Sequence, residues 1–135
     1  MMKSLRVLLL VFFSSLLLIS VGCQSVPATG AAGDNPDAMF RFGELVVVQE
    51  NSFEDVYEAT LAAIEEEELY VTDHTKNPSE AVIGARDRAD HRITIKLKDV
   101  RPQVTSIKIR YGIPGDRRLS QSFFAEIDRK LKERI

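Results

Sequence analysis

The sequence predicts an α+β fold in which two helices pack on one face of a mostly antiparallel sheet. Residues 92–98 and 105–111 alternate apolar and polar side chains with the period of two that is typical of strands. Two other segments, after Ser52 and after Asp116, repeat apolar residues at spacings of three and four, as amphipathic helices do. The expected architecture is a two-layer sandwich with the element order β-α-β-β-β-β-α.

The first strand is predicted at residues 42–49, where β-branched residues are bounded by polar ones. A helix is expected at residues 53–68, because Ser52 and Asp55 form a capping pattern and Glu54 suits the positive end of a helix dipole. Its apolar stripe consists of Phe53, Val56, Tyr57, Thr60, Ala63 and Ile64.

Two further strands are expected at residues 69–75 and 81–86, separated by the break at Asn77-Pro78-Ser79. A turn at residues 87–90 leads to the alternating strands at 92–98 and 105–111, which are joined by a loop at 99–103. The last helix is predicted from the cap at Asp116 to Glu133. Its buried stripe consists of Leu119, Phe123, Phe124, Ile127 and Leu131.

The N-terminus has the order of a bacterial lipoprotein signal. Lys3 and Arg6 precede an apolar run of 15 residues at 7–21, and Gly22 then precedes the only cysteine, Cys23. This order resembles signals in which the chain is cut before the cysteine and the thiol receives a lipid. Residues 1–22 are therefore predicted to be removed, and Cys23 is predicted to carry the membrane anchor.

The competing interpretations are a membrane-spanning helix, for which about 20 residues are needed, and a buried structural cysteine. Residues 24–39, which are rich in Pro, Gly and small side chains, are predicted to form a flexible tether, and residues 40–135 a single domain. The mature chain carries 16 basic and 20 acidic residues, a net charge of −4 that argues against nucleic acid as a partner. Gln24 after the cysteine favours the outer membrane, by similarity to the sorting rule of enterobacterial lipoproteins.

No catalytic, metal-binding or cofactor-binding pattern emerges from the spacing of the residues. The two histidines, His74 and His91, each follow an aspartate directly, but neighbouring strand residues face opposite ways. Both are expected to be surface residues rather than ligands or bases. The acidic run at 65–68 is expected to be a solvated helix end, because a calcium site requires ligands spaced around a loop.

Basic residues concentrate in the second half of the domain. Residues 81–118 contain ten basic and four acidic side chains, whereas residues 24–80 contain two basic and thirteen acidic ones. The alternation directs five basic side chains to the sheet face away from the helices: Arg92, Lys96, Lys98, Lys108 and Arg110. This face could meet an anionic envelope component or protein partner; the alternative is that it serves only solubility.

Three segments resemble the small bacterial lipoproteins of the domain of unknown function 3568 family: residues 53–71, 93–98 and 105–119. The resemblance extends over about residues 42–133 and implies the same fold and an envelope location, but no activity and no catalytic residues. The expected function is that of a non-enzymatic envelope lipoprotein facing the periplasm, which acts through binding or assembly. The alternative is a small envelope hydrolase or transferase whose site is assembled by tertiary contacts.

Overall fold

An open six-stranded antiparallel sheet and two helices make up residues 38–135, the part of the protein that the computed structural model describes. The predicted signal peptide, Cys23 and residues 24–37 lie outside the described residues. The elements are β1 (Met39–Arg41), β2 (Glu44–Gln49), α1 (Phe53–Glu66), β3 (Tyr70–Lys76), β4 (Glu80–Arg86), β5 (Arg92–Arg101), β6 (Val104–Tyr111) and α2 (Arg117–Arg134). The strand order along the sheet is β1-β2-β6-β5-β4-β3. The predicted α+β fold is confirmed, with β1 as an added first strand.

The core lies between one face of the sheet and the two helices. Every second residue is buried from Ile93 to Leu97 in β5 and from Thr105 to Ile109 in β6, and the register sets Ile95 opposite Ile109 and Leu97 opposite Ile107. Burying each such side chain contributes about 1.5–3 kcal/mol. The helices cover these strands with Val56, Ala59, Ala63, Ile64, Phe123, Phe124, Ile127 and Leu131.

Both helices begin at the predicted caps. The Ser52 hydroxyl accepts a hydrogen bond from the backbone N–H of Asp55 at 3.1 Å, and the Asp116 carboxylate accepts one from Leu119 at 2.9 Å. Helix α1 ends at Glu66, two residues earlier than predicted, and Glu68 follows in a left-handed conformation with φ 52°. Neither helix in residues 38–135 is long and apolar enough to cross a membrane.

The predicted strand at residues 42–49 is shorter than expected. Phe42 and Gly43 form a two-residue turn between β1 and β2, with φ values of 51° and 77°. Positive φ at both central residues matches the right-handed twist of a hairpin, and Asn-Gly is the usual pair there. Because Phe occupies the first position, the turn is not evident from the sequence.

The predicted loop at residues 99–103 is mostly strand. β5 continues to Arg101 and β6 begins at Val104, so that only Pro102 and Gln103 form the turn. Gln103 has φ 61°, the left-handed conformation that follows proline in a type II turn. The end of β5 beyond Leu97 is exposed on both sides, so this hairpin extends past the core.

Candidate functional site

The five basic residues predicted to share a face lie on one side of β5 and β6. Their neighbours Ile93, Ile95, Leu97, Ile107 and Ile109 are buried against the helices, so alternation directs the basic residues to the opposite side. We call this side the open face, because no element within residues 38–135 covers it. Its members on the two central strands are Arg92, Thr94, Lys96, Lys98, Ser106, Lys108 and Arg110.

Two glutamates neutralise part of the open face. Glu44 of β2 lies 3.4 Å from the ammonium of Lys96 and 3.3 Å from the guanidinium of Arg110. Glu80 of β4 lies 2.8 Å from Lys98, and this hydrogen bond raises the pKa of the Lys98 ammonium above its ordinary value. Surface pairs of this kind contribute little to stability, typically less than about 1 kcal/mol.

Lys108, like Arg92 on the same face, is left without a carboxylate partner by these pairs within residues 38–135. Among the described residues, no acidic side chain lies within 4.0 Å of its ammonium group. The register sets Lys108 directly opposite Lys96, and like charges in that arrangement are destabilising. The two ammonium groups therefore lie on neighbouring strands, and Glu44 forms an ion pair with Lys96 but not with Lys108.

A shallow depression of about 160 Å³ opens beside this lysine pair. Its exposed surface is mostly apolar, and its polar lining combines ammonium and hydroxyl donors with the Glu80 carboxylate, so an acidic group would have to bind next to the lysines and away from Glu80. The described side chains around it include Glu80, Val82, Lys96, Lys98, Ser106 and Lys108.

A second group of polar residues surrounds Asp87, and it is not indicated by the local spacing of residues in the sequence. One carboxylate oxygen of Asp87 accepts hydrogen bonds from the backbone N–H groups of Ala89 and His91, both at 2.9 Å. The other oxygen contacts Nδ1 of His91 at 2.8 Å and accepts a bond from the Tyr111 hydroxyl at 2.9 Å. Asp87 thus closes the β4–β5 turn and ties it to the end of β6.

The pKa values of this group follow from these contacts. Partial burial alone would raise the pKa of Asp87, but hydrogen bonds from the ring and backbone of His91 and from Tyr111 outweigh it and lower the pKa to about 2. Burial, and then the bond to the Asp87 carboxylate, raise the pKa of Tyr111 to about 12. Asp87 is therefore ionised at neutral pH, and Tyr111 holds its proton.

A cleft of about 250 Å³ lies next to His91 and Tyr111, between the end of β6 and the start of α2. Its lining includes Gly112, Pro114 and Leu119, and among the lining residues that the structure describes there is no serine, threonine or cysteine. A His–Asp pair is therefore present without an adjacent side-chain nucleophile.

The other singled-out residues have structural partners. The His74 ring lies 2.8 Å from the Tyr57 hydroxyl, and the Lys76 ammonium lies 4.0 Å from the centre of the Tyr57 ring. In the acidic run, Glu66 pairs with Lys130 at 3.2 Å and Glu68 pairs with Arg88. Within residues 38–135, no group of three or more His, Cys, Asp or Glu side chains is close enough to hold a metal ion.

Comparison with known proteins identifies a family. A search of curated proteins found no match, whereas a family described as "Protein of unknown function (DUF3568)" matches residues 6–130. This match extends over most of the chain and includes all six strands, α1 and the part of α2 up to Lys130. The chain therefore belongs to the DUF3568 family, whose description assigns no function.

Proposed function

We propose that this protein is a non-enzymatic cell-envelope lipoprotein that is held in the outer membrane by lipid on Cys23. Its domain faces the periplasm and acts by binding an anionic component of the envelope. The anchor is supported by the signal-like order of the residues before Cys23. Binding is supported by the geometry of the open face.

The observation that carries the binding proposal is the pairing of Lys96 with Lys108. A sheet face that needs only to be soluble can satisfy that need with threonine, serine or opposed charges, as Thr94 and Ser106 illustrate nearby. Two opposed lysines cost stability unless an anion lies between them. An acidic group seated in the neighbouring depression would accept hydrogen bonds from both ammonium groups and remove their repulsion.

The binding proposal is tested with a charge-neutral double variant, K96Q/K108Q. The matched control is K132Q/R134Q, which removes the same charge from the end of α2, far from the open face. Each protein is mixed at low salt with isolated peptidoglycan sacculi and, separately, with vesicles that contain anionic lipids. Two basic residues near an anionic surface contribute about 2 kcal/mol, so K96Q/K108Q is expected to bind about 30-fold more weakly.

The control variant is expected to retain the binding of the unsubstituted protein. Equal weakening in the two variants would show that only net charge matters, and an unsubstituted protein that binds neither material would remove the proposal. The choice between sacculi and vesicles identifies the class of anion.

The anchor is tested separately by growth with labelled palmitate. The full chain is expected to incorporate the label, to lose residues 1–22 and to partition into the detergent phase. C23A is expected to lose the label and to remain uncleaved, whereas the control S25A keeps both properties. Labelled C23A, or a native protein that retains residues 1–22, would contradict the lipid anchor.

The second candidate is a small envelope hydrolase or transferase, and the His91–Asp87 pair beside the 250 Å³ cleft favours it. In that case His91 would act as a base on a water molecule, since the described lining offers no side-chain nucleophile. Hydrolysis of ester or amide substrates that is lost in H91Q, with the fold unchanged, would establish this candidate.

A further inference from the structure

Two exposed apolar side chains lie together at one end of the sheet. Phe42, in the β1–β2 turn, is 91% exposed, and Ile113, in the loop before α2, is 81% exposed. The two segments touch through their backbones: a Cβ added to Gly43 would lie 2.0 Å from the carbonyl oxygen of Pro114, and one added to Gly115 would lie 2.1 Å from that of Gly43. We call Phe42 and Ile113 the apolar tip.

The fold gives no reason for an aromatic residue at this position. Phe42 has φ 51°, a conformation that bulky residues rarely adopt and that Asn or Gly adopts readily. Its side chain is almost fully exposed, so packing does not offset the strain. Strained, exposed aromatic residues cluster at sites of interaction, where another molecule covers them.

Four arginines lie in the segments next to the apolar tip, and one of them, Arg117, lies over the Phe40 ring at 5.3 Å. Arg41 directly precedes Phe42, and the Arg110 guanidinium donates a hydrogen bond to the Phe42 carbonyl at 3.3 Å. Arg117 and Arg118 occupy the first turn of α2, which contains no acidic side chain and where the helix dipole disfavours positive charge. Against these four charges stand Glu44, which pairs with Arg110, and the cap Asp116.

Apolar side chains surrounded by arginine fit the interface of an anionic lipid bilayer. Such side chains enter the boundary between headgroups and acyl chains, while the guanidinium groups bind phosphates. An acidic protein surface would pair with the arginines, but it would cover Phe42 only if it also offered an apolar pocket for the ring. The charge and the shape together therefore favour the membrane.

The position of the tip in the chain agrees with this partner. Phe42 is three residues after Met39, the start of β1, and so lies about 10 Å from it. Fifteen residues separate Cys23 from Met39, and this number sets an upper limit of about 55 Å on the distance between the two residues. A lipid on Cys23 would therefore hold the tip within reach of the bilayer.

We infer that the apolar tip docks on the surface of the membrane that holds the anchor, with Phe42 and Ile113 in the interface and the arginines on anionic headgroups. This inference rests on the proposed lipid anchor. In this orientation the strands rise from the membrane, because the tip lies at one end of β2 and β6. The lysine pair of the open face is then accessible from the periplasm.

The chain contains no tryptophan, so a single substitution creates a specific reporter. F42W reports on the tip, and V100W is the matched control, since Val100 is 56% exposed and lies near the hairpin at the opposite end of β5. The lipidated full chain is reconstituted into vesicles of phosphatidylethanolamine and phosphatidylglycerol with brominated acyl chains. The same samples are floated on a density gradient, which measures anchoring independently.

The expected result is flotation of both variants, with the F42W tryptophan quenched at least about threefold more than the V100W tryptophan, because interfacial groups lie about 5–10 Å into the headgroup–acyl boundary. Addition of R117Q/R118Q to F42W is expected to reduce quenching in anionic vesicles but not in purely zwitterionic ones. The matched addition, K132Q/R134Q, neutralises two charges at the other end of the same helix and is expected to leave the quenching unchanged.

Flotation of both variants with equal quenching would overturn the docked tip and leave the anchor intact. Failure to float would overturn the anchor and the docked tip together. A concentration-dependent blue shift of the F42W tryptophan without lipid would also overturn the inference, because it would identify a second copy of the chain as the partner of the tip.

Discussion

Replacing Phe42 by asparagine is expected to stabilise the domain. The turn at Phe42 and Gly43 needs positive φ at both residues, and an ordinary L-residue loses about 1–2 kcal/mol in that conformation. Asparagine tolerates it well, and the 91% exposure of the Phe42 ring means that almost no burial is lost. F42N should therefore raise the free energy of unfolding by about 1 kcal/mol, which for a domain of this size raises the Tm by about 4–8 °C.

Thermal unfolding followed by circular dichroism measures this change, and Q103N provides the control. Gln103 is also left-handed and exposed, with φ 61°, but lies in the β5–β6 turn away from the tip. Both variants should gain stability. When each substitution is combined with I113W, only F42N should reduce the quenching of the tryptophan fluorescence by brominated lipid. A lower Tm in F42N together with a higher Tm in Q103N would refute the reasoning, since it would mean that Phe42 makes stabilising contacts within the domain.

Three further predictions concern the fold. The pKa of Asp87 is lowered to about 2 from 3.8, so its ionised form stabilises the domain at neutral pH by on the order of 2 kcal/mol. This stability is lost as the pH falls from about 4 to 2. D87N should flatten this dependence of the free energy of unfolding on pH, as measured by urea titrations. G115A should destabilise the domain more than G112A, because both have positive φ but only the added Cβ of Gly115 meets backbone; equal losses of Tm would contradict the loop contact. I95A should cost about 2–5 kcal/mol in chemical unfolding, whereas V48A, on the partly exposed face, should cost about 1 kcal/mol or less; similar losses would contradict the assigned core.

The central strands were predictable because they are half buried over several residues. Ile93, Ile95 and Leu97 alternate with polar residues, and a slip of one residue would turn all three outward. The alternation ends after Leu97, where β5 continues with exposed residues on both sides. The end of the strand therefore has no alternating pattern, and its sequence resembles that of a loop.

β1 was missed for two physical reasons. A strand of three residues is too short to establish a period, and the turn that follows it has Phe42 where Asn or Gly would identify a hairpin. β1 begins at Met39, one residue before the predicted start of the domain at Phe40.

The membership of the open face followed from the period of two, but its charge balance did not. Glu44 pairs with Arg110 because β2 lies beside β6, and the two residues are far apart in the chain. The same holds for Tyr111, which reaches Asp87 because β6 ends beside the start of β5. Strand order decides both contacts, and strand order is not encoded in local spacing.

The three-residue strand β1 would be the first described element to bear load if the chain were pulled from its N-terminal side. Any tension along the N-terminal segment reaches Met39 first, at the end of the hairpin opposite its turn. The ladder between β1 and β2 would then open one residue pair at a time, which requires less force than breaking all its pairs at once. Only afterwards would the force reach the longer β2–β6 ladder. Detachment of β1 would thus lengthen the N-terminal connection by a few residues and protect the rest of the sheet from the applied force.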